Sequence, residues 1–296
     1  MRVLFFGSGQ SKYISQVFRE AGHQTRIFAV RRHGQTLTIL RNVLWCDMLY
    51  AVSGNDISSD PTMRMAAMMK KKIVIHWIGT DVLQAAEAFK KNQKVLNEEY
   101  PHIDLVCAKH LQIELQEIGI QADYVPIAPL DMEFEAIEVP KTHAVLSYIP
   151  QHRESFYGVE KLKALARRHP DIPFYIVAND GENDTDRLPN MHYQGTVGRQ
   201  EMEELHKKCS IMYRYPEHDG LPLMMLEALG FGRQAINRYP FPHVITPEGD
   251  SIEAIDAALG EILASPPRVN QEGSDYVKRE FTKEKILQWY QKAGVI

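Results

Sequence analysis

Short apolar runs alternate with amphipathic segments along the first 130 residues of the chain. The apolar runs are predicted to be strands at 2–6, 24–30, 47–52, 72–78, 104–108 and 122–127. The segments between them are predicted to be helices at 61–70, 82–97 and 109–118, with an earlier helix ending at Gly22. Strands that alternate with helices are typical of βαβ units and a parallel sheet.

The pattern lapses at 131–142, an acidic stretch that contains a proline, and then starts again. Further strands are predicted at 143–149, 174–178, 191–195, 210–214 and 234–237. Further helices are predicted at 156–168, 199–208, from 222 onward, and at 251–264, 271–280 and 283–293. The sequence therefore predicts an α/β protein with two Rossmann-like, doubly wound domains, 1–139 and 140–296. The apolar residues of the last helix, 283–293, need a partner, so we expect that helix to cross back to the first domain.

Length and charge narrow the function classes. A chain of 296 residues with 44% hydrophobic and 24% charged residues suits two folded domains. Residues 1–130 carry 15 basic and 12 acidic side chains, and the remainder carries 19 and 26. Neither half is basic enough for nucleic acid to be the main partner. The mildly basic first half still permits contact with a phosphorylated acceptor or an anionic membrane surface.

The cysteines and the N-terminus suggest a location. Cys46, Cys107 and Cys209 lie in or beside apolar runs without metal-ligand spacing, which is typical of buried thiols in a reducing cytoplasm. The start of the chain does not resemble a signal peptide, and no apolar run has the length of a membrane span. We expect a cytoplasmic protein that could lie peripherally at the inner membrane face. The methionines and lysines of 63–72 fit either membrane contact or an amphipathic helix with methionines in the core.

The segment 213–237 carries the most chemical information. A strand ends, a loop with Asp219 and Gly220 follows, and a helix with Pro222 in its first turn contains Glu227. Loop amides before a helix N-terminus favour an anion such as a diphosphate. Glu227 lies too far inside the helix to cap it, so it faces either solvent or a polar ligand.

This segment resembles the signature of family 4 of the retaining glycosyltransferases, in which an acidic residue precedes a glutamate by eight positions. Here the pair is Asp219 and Glu227, followed by Ala228, Leu229 and Gly230. The resemblance extends over most of the chain, through the segments 76–82, 145–158, 171–181 and 190–197. It implies the GT-B architecture, in which two Rossmann-like domains face each other across a cleft.

The resemblance implies roles for the residues around the signature. Glu227 would accept hydrogen bonds from the nucleotide ribose, and Asp219 would contact the donor sugar with help from the amides of Gly220 and Leu221. Asp219 is one methylene shorter than the glutamate usual in the family. Its reach is therefore reduced, which would mark a different sugar.

Other donor contacts are implied elsewhere in the chain. Thr196 and Val197 correspond to the segment that touches the base. Gly7, Gly9 and Gln10 match the first-domain loop that closes over the diphosphate. The two glycines also fit a tight turn, as in any α/β domain.

Two further places depart from the family pattern. Tyr157 stands where the family has a phosphate-binding Lys, so we assign Arg153 to the diphosphate because its fork suits paired phosphate oxygens. Ile78 stands where the family has a His, which leaves His76 and Asp81 as polar candidates near the sugar. A satisfied core histidine is an equal alternative for His76, and helix capping is an equal alternative for Asp81.

The resemblance implies transfer of a sugar from a nucleotide-diphosphate sugar to a hydroxyl of a glycan, lipid-linked or small-molecule acceptor, as in polysaccharide biosynthesis. UDP is the expected nucleotide and GDP the second choice. The configuration would be retained, without a cofactor or a metal. Asp184 and Asp186 form a DxD string like the metal site of another glycosyltransferase fold, but their polar loop predicts a solvated turn. A sugar-nucleotide epimerase and a catalytically silent nucleotide-sugar or glycan-binding protein remain alternatives.

Overall fold

The computed structural model describes residues 1–7, 9–28, 36–53, 60–93, 95, 101–130 and 135–296. They form a mixed α/β protein with parallel sheets in two compact units. The first unit comprises Met1–Met132, His218–Leu221 and Phe281–Ile296, and the second comprises Glu133–Glu217 and Pro222–Glu280. The predicted division between residues 139 and 140 stays a prediction, and 131–134 of the predicted linker lie outside the described residues.

The first unit is built on a parallel sheet with the order β2-β1-β3-β4-β5-β6. Its strands are β1 (Arg2–Gly7), β2 (Gln24–Phe28), β3 (Met48–Val52), β4 (Lys72–Trp77), β5 (Ile103–Val106) and β6 (Asp123–Tyr124). Every residue of β3 is buried, as expected for a central strand covered on both faces.

The helices of the first unit include one that lies near the C-terminus. They are α1 (Ser11–Glu20), α2 (Thr36–Trp45), α3 (Pro61–Met68), α4 (Thr80–Lys90), α5 (Lys109–Glu117) and α11 (Lys283–Lys292). Tyr290 of α11 packs edge-on against Phe18 with ring centroids 5.7 Å apart. Lys283 also pairs with Glu20 at 2.6 Å, so α11 is held to α1 by apolar and charged contacts.

The second unit has its own parallel sheet, with the order β11-β10-β7-β8-β9. Its strands are β7 (Val145–Tyr148), β8 (Phe174–Val177), β9 (Met191–Tyr193), β10 (Ile211–Arg214) and β11 (Gln234–Asn237). Its helices are α6 (Val159–Arg168), α7 (Arg199–Lys208), α8 (Leu223–Gly230), α9 (Ile252–Leu263) and α10 (Gln271–Glu280). The core between α6, α9 and the sheet contains Leu162, Phe174 and Leu259, all buried.

Each sheet contains a point where the chain reverses its direction of progress. In the first sheet, β2 and β3 lie on opposite sides of β1, and in the second, β8 and β10 lie on opposite sides of β7. The carboxyl ends of the strands at such a reversal leave a crevice in which ligands of α/β proteins bind. Gly7 ends β1 at the first reversal, and Tyr148 and Arg214 end β7 and β10 at the second.

The sequence predicted the strands of both sheets, but several helix boundaries were wrong. Helix α2 was missed because its apolar, β-branched sequence lacks a clear polar face. Helix α6 begins at Val159 rather than 156, since Gly158 before it adopts a left-handed conformation with φ 76°. Helix α4 ends at Lys90, and part of its predicted extension, at 94, 96 and 97, lies outside the described residues.

The cysteines are buried and unbridged, as predicted. Within the described residues no helix combines the length and apolarity needed to cross a bilayer. The methionines of helix α3 differ in exposure, because Met63 is buried in the core and Met68 is 85% exposed. After its end, Lys71 donates a hydrogen bond to the Cys46 carbonyl at 2.7 Å, so this lysine is engaged with the protein.

Candidate functional site

His76 lies on β4 in the interior of the first unit. Its Nε2 atom donates to the Val125 carbonyl at 2.9 Å, so its Nδ1 atom accepts from the Tyr50 hydroxyl at 2.8 Å. Burial lowers the pKa of His76 to about 3, which keeps the ring neutral. Tyr50 is in turn hydrogen-bonded to Tyr290 of α11. This arrangement is the one expected from a satisfied core histidine.

Asp81 lies in the first turn of α4 and is 2% exposed. Its carboxylate accepts hydrogen bonds from the Gly79 amide at 2.8 Å and the Ile78 amide at 3.1 Å. The N-cap of this helix is Gly79, so Asp81 reaches back from inside the helix instead of capping it directly. The carboxylate thereby fixes the turn between β4 and α4 and favours the N-terminal end of the helix dipole.

The first-domain loop begins at the reversal point of its sheet. Gly7 has φ 122°, and a Cβ atom there would overlap the Val52 carbonyl, so only glycine fits. Gly9 has open space around its Cα atom, and no packing reason requires glycine there. Gln10 precedes α1 as its N-cap residue without capping it through its side chain. The position of this loop is compatible with a ligand, and its assignment to the diphosphate stays a prediction.

The loop with Asp219 packs closely within the first unit. A Cβ atom at Gly220 would overlap the Ile78 carbonyl, so this glycine is required by the approach of two loops. The Gly220 amide donates to the Asp219 carboxylate at 3.0 Å, and the Leu221 amide donates to the Cys107 sulfur. The two amides expected to assist at the donor sugar therefore have partners in the protein.

Two histidines that were not predicted as site residues lie beside this loop. His110 of α5 donates from Nε2 to the Asp219 carbonyl at 2.9 Å, and the buried His218 lies 2.8 Å from the Glu114 carboxylate. Burial lowers the pKa of His110. These side chains fix the backbone on either side of Asp219. Only their position in space reveals this, because more than 100 residues separate the partners in sequence.

Glu227 has a different environment on α8 of the second unit. Its side chain is partly buried, and no described residue donates a hydrogen bond to its carboxylate. Burial raises the pKa of Glu227 to about 7, and the positive charge of Arg199 only partly offsets that effect. A carboxylate that is desolvated without a hydrogen-bonding partner is typical of a functional position.

Thr196 and Val197 lie between β9 and α7. Thr196 is exposed and Val197 is half-buried. The helix that follows is fixed by Glu201, whose carboxylate accepts from the Gly198 amide at 2.7 Å. Arg199, the first residue of α7, links this segment electrostatically to Glu227. The structure thus brings the predicted base segment and the predicted ribose residue into one neighbourhood.

Arg153 is exposed, and its guanidinium lies 4.6 Å from the Phe156 ring centroid and 5.3 Å from that of Tyr157. A second cation, Arg214, was not among the site residues predicted from the sequence. Arg214 is buried, and its guanidinium lies 5.2 Å from the ring centroid of Tyr157 and 5.2 Å from that of Tyr148. The second unit therefore presents two cations around Tyr157, one exposed and one buried.

Both aspartates of the DxD string form ion pairs with basic side chains. Asp184 pairs with Lys163 and also accepts from the Tyr193 hydroxyl at 2.6 Å, while Asp186 pairs with Arg167. The prediction of a solvated turn was wrong for Asp184, whose side chain is only 7% exposed. Among the described residues no group of three or more His, Cys, Asp or Glu side chains is arranged to hold a metal ion.

The candidates thus form two groups, each inside one unit. The first group contains His76, Asp81 and the loop of Asp219. Burial raises the pKa of the Cys107 thiol to about 12, and the charges of Asp81 and Asp219 add to that effect. The second contains Glu227, with the segment before α7, and the arginines around Tyr157.

No protein-family model matches the chain, and no curated protein matches it by sequence. Solved structures do match in fold. A sucrose-phosphate synthase from Thermosynechococcus elongatus is similar over 99% of this chain and 98% of its own, with TM-score 0.72 and 11% identity. A glycosyltransferase from Rickettsia africae is similar over 98% of this chain and 97% of its own, with TM-score 0.64 and 10% identity.

The pneumococcal O-GlcNAc transferase GtfA, solved with UDP and GlcNAc, is similar over 83% of this chain, with TM-score 0.58 and 12% identity. This chain spans 56% of that protein's length. The chain therefore has the fold of the GT-B glycosyltransferases, as predicted, and these low identities establish the fold alone.

Proposed function

We propose that the protein is a glycosyltransferase that moves a sugar from a nucleotide-diphosphate sugar, with UDP as the first choice of nucleotide, to a hydroxyl acceptor. The observation that carries the proposal is the Glu227 carboxylate, which is desolvated, has a pKa raised to about 7 and receives no hydrogen bond from a described residue. Ribose hydroxyls would supply the missing donors. The solved structures of similar fold, one of them with bound UDP, support the same class of donor.

In the proposed reaction, the bond between the anomeric carbon and the departing diphosphate oxygen breaks. The acceptor oxygen bonds to the same face of that carbon, which retains its configuration, and the acceptor proton passes to the departing diphosphate. No protein nucleophile is required. The protein would act by positioning the substrates and by stabilising the developing charge on the diphosphate.

Asp219 is proposed to contact the donor sugar. Its carboxylate is half-buried, and the Gly220 amide orients it. The His110 bond to the Asp219 carbonyl fixes the backbone at this position. We therefore expect Asp219→Asn to lower the rate of transfer in a single turnover while nucleotide affinity stays close to that of the wild type.

The transfer is also proposed to be independent of metal. The best sequence candidate for a metal site, Asp184 and Asp186, uses its carboxylates in ion pairs with Lys163 and Arg167. Lys163 and Asp184 are both largely buried, so a metal ion would have to displace Lys163 from a buried ion pair.

The test is incubation with UDP-sugars and GDP-sugars, with and without a glycan or lipid extract, in the presence of a chelator or of manganese. Transfer that requires an acceptor and is equal in both metal conditions is the expected result. An altered nucleotide sugar or free sugar formed without an acceptor would indicate the epimerase. Nucleotide-sugar binding without turnover would indicate the silent binding protein, and restoration by manganese after chelation would contradict metal independence.

Contact with an anionic membrane through the first unit is a further part of the proposal. Leu37 and Leu44 of α2 are 81% and 57% exposed, and Arg26 and Arg41 line the same surface depression of about 460 Å³. Apolar side chains flanked by arginines suit an anionic bilayer surface. Co-sedimentation with anionic but not neutral vesicles is expected, and Leu37→Glu should weaken it. Equal sedimentation with both vesicle types would contradict the charge argument.

A further inference from the structure

Arg214 stands at the reversal point of the second sheet. After β7 the chain adds β8 and β9 on one side, and then returns to place β10 on the other side of β7. Arg214 is the last residue of β10, and Tyr148 is the last residue of β7. The carboxyl ends of these adjacent strands define the crevice in which a sheet of this kind receives a ligand. As the last residue of β10, Arg214 lies at that edge of the sheet.

Aromatic rings hold the side chain of Arg214. Its guanidinium is 5.2 Å from the ring centroids of Tyr148 and Tyr157, and those rings meet edge to face, 5.7 Å apart at 69°. Only 8% of the residue is exposed. Ring faces stabilise the positive charge by cation–π attraction, and they limit the rotamers of a long side chain. The fork is therefore oriented before any ligand arrives.

The N-terminus of α6 lies next to this arginine. Tyr157, which stacks on Arg214, directly precedes Gly158, the N-cap residue of α6. A Cβ atom at Gly158 would come within 2.5 Å of the Tyr215 carbonyl, the residue after Arg214, so the glycine allows the helix to begin against the end of β10. The partial positive charge of a helix N-terminus is thereby added to the full charge of the guanidinium.

Two other cations of the second unit lie near the carboxylate of Asp250. Arg238 lies 2.6 Å from the Asp250 carboxylate, and Lys161 lies 3.9 Å from it. Both of these cations are more exposed than Arg214. Arg238 is thus a neighbouring arginine of the same charge whose environment is that of an ordinary surface ion pair, and it serves as a matched control.

We propose that Arg214 binds the diphosphate of the nucleotide-sugar donor, a role first assigned from the sequence to Arg153. The assignment rests on the proposed function, since it deepens the description of the same donor site. A planar fork in a restricted, largely desolvated position can donate two hydrogen bonds to paired phosphate oxygens. An exposed arginine such as Arg153 loses much of the same attraction to solvent screening.

The experiment measures affinities of UDP, uridine and inorganic pyrophosphate for the wild type and for Arg214→Gln, Arg214→Lys, Arg153→Gln and Arg238→Gln at one ionic strength. Arg214→Gln should weaken UDP and pyrophosphate at least tenfold and leave uridine within about twofold. Arg214→Lys keeps the charge but not the fork and should lose part of the UDP affinity. Arg238→Gln should change none of the three affinities.

Equal losses of UDP and uridine in Arg214→Gln would show a structural role and overturn the assignment. Unchanged UDP affinity, or a loss confined to Arg153→Gln, would also overturn it. If Arg214→Gln does not fold, Arg214→Lys decides by the same ratio of UDP loss to uridine loss. A wild type that binds pyrophosphate through Arg214 but no nucleotide would contradict the proposed function while supporting the anion site.

Discussion

Asp81 in the first unit and Glu227 in the second both carry a carboxylate that is shielded from water, but the two carboxylates differ in their hydrogen bonds. Asp81 receives hydrogen bonds from the amides of Ile78 and Gly79. Glu227 receives none from the described residues, and burial raises its pKa to about 7. A buried group whose hydrogen bonds are supplied by its own chain stabilises the fold. A buried group without that supply carries a cost that a ligand can relieve.

His76 and Arg214 are both buried, and they are held in different ways. The two ring nitrogens of His76 are occupied by a carbonyl and a hydroxyl, and the ring is neutral. The guanidinium of Arg214 is positioned by ring faces at the end of a strand. Changes at His76 and Asp81 should therefore affect stability, and changes at Glu227 and Arg214 should affect nucleotide binding.

The largest expected effect is the loss of stability on changing His76→Leu. Leucine fills most of the volume of the histidine ring. It removes the hydrogen bonds that His76 makes to the Val125 carbonyl and to the Tyr50 hydroxyl. We expect the free energy of unfolding to fall by about 2–4 kcal/mol. The melting temperature should fall by about 5–10 °C, measured by calorimetry. Nucleotide affinity should stay within about twofold of the wild type.

Tyr50→Phe is the matched control for His76→Leu, because it removes only the hydroxyl between His76 and Tyr290 and keeps the aromatic ring. A smaller loss of stability, about 1 kcal/mol, is expected. If His76→Leu kept its stability but lost nucleotide binding or turnover, the comparison between the two units would fail, and His76 would return as a candidate at the donor site.

The next largest effect is on binding, in Glu227→Gln. The amide keeps the shape but accepts at only one oxygen, so one of two proposed charge-assisted hydrogen bonds to the ribose is lost. Such bonds contribute about 1.5–3 kcal/mol, which corresponds to at least a tenfold loss of UDP affinity by titration calorimetry. Glu204→Gln on the exposed face of α7 provides the control and should bind UDP normally. Wild-type affinity in Glu227→Gln would refute the ribose assignment.

Much of the fold could be predicted because its signals are local. Strands such as 2–6 and 72–78 are continuous apolar runs, and Asp219 and Glu227 fall in a spaced signature that marks a strand, loop and helix. The start of α6 could not be placed from periodicity, since it depends on the approach of Gly158 to Tyr215, 57 residues away in the chain.

The site was less predictable because satisfaction of a polar group is a three-dimensional property. Nothing in the local sequence shows that Val125 and Tyr50 supply both partners of His76. The role of Arg214 likewise depends on the strand order that brings Tyr148 beside it. Residue type and spacing identify which groups can do chemistry, and packing decides which of them the protein uses for its own stability.

The smallest expected effect concerns the pH dependence of stability at Glu227. Its pKa is raised from 4.5 to about 7 in the folded protein, so between these values the folded state binds more protons than the unfolded state. Wild-type stability contributed by this group is therefore complete below about pH 4.5 and is lost as pH rises through 7. Glu227→Gln has no proton to lose, and because the side chain is only partly buried we expect it to gain about 1–2 kcal/mol over the wild type between pH 5 and pH 8. Other titrating groups cancel in this difference, which denaturant unfolding at the two pH values measures directly. A difference that stayed constant with pH would mean that the carboxylate is solvated or paired in the folded protein, and the contrast with Asp81 would then disappear.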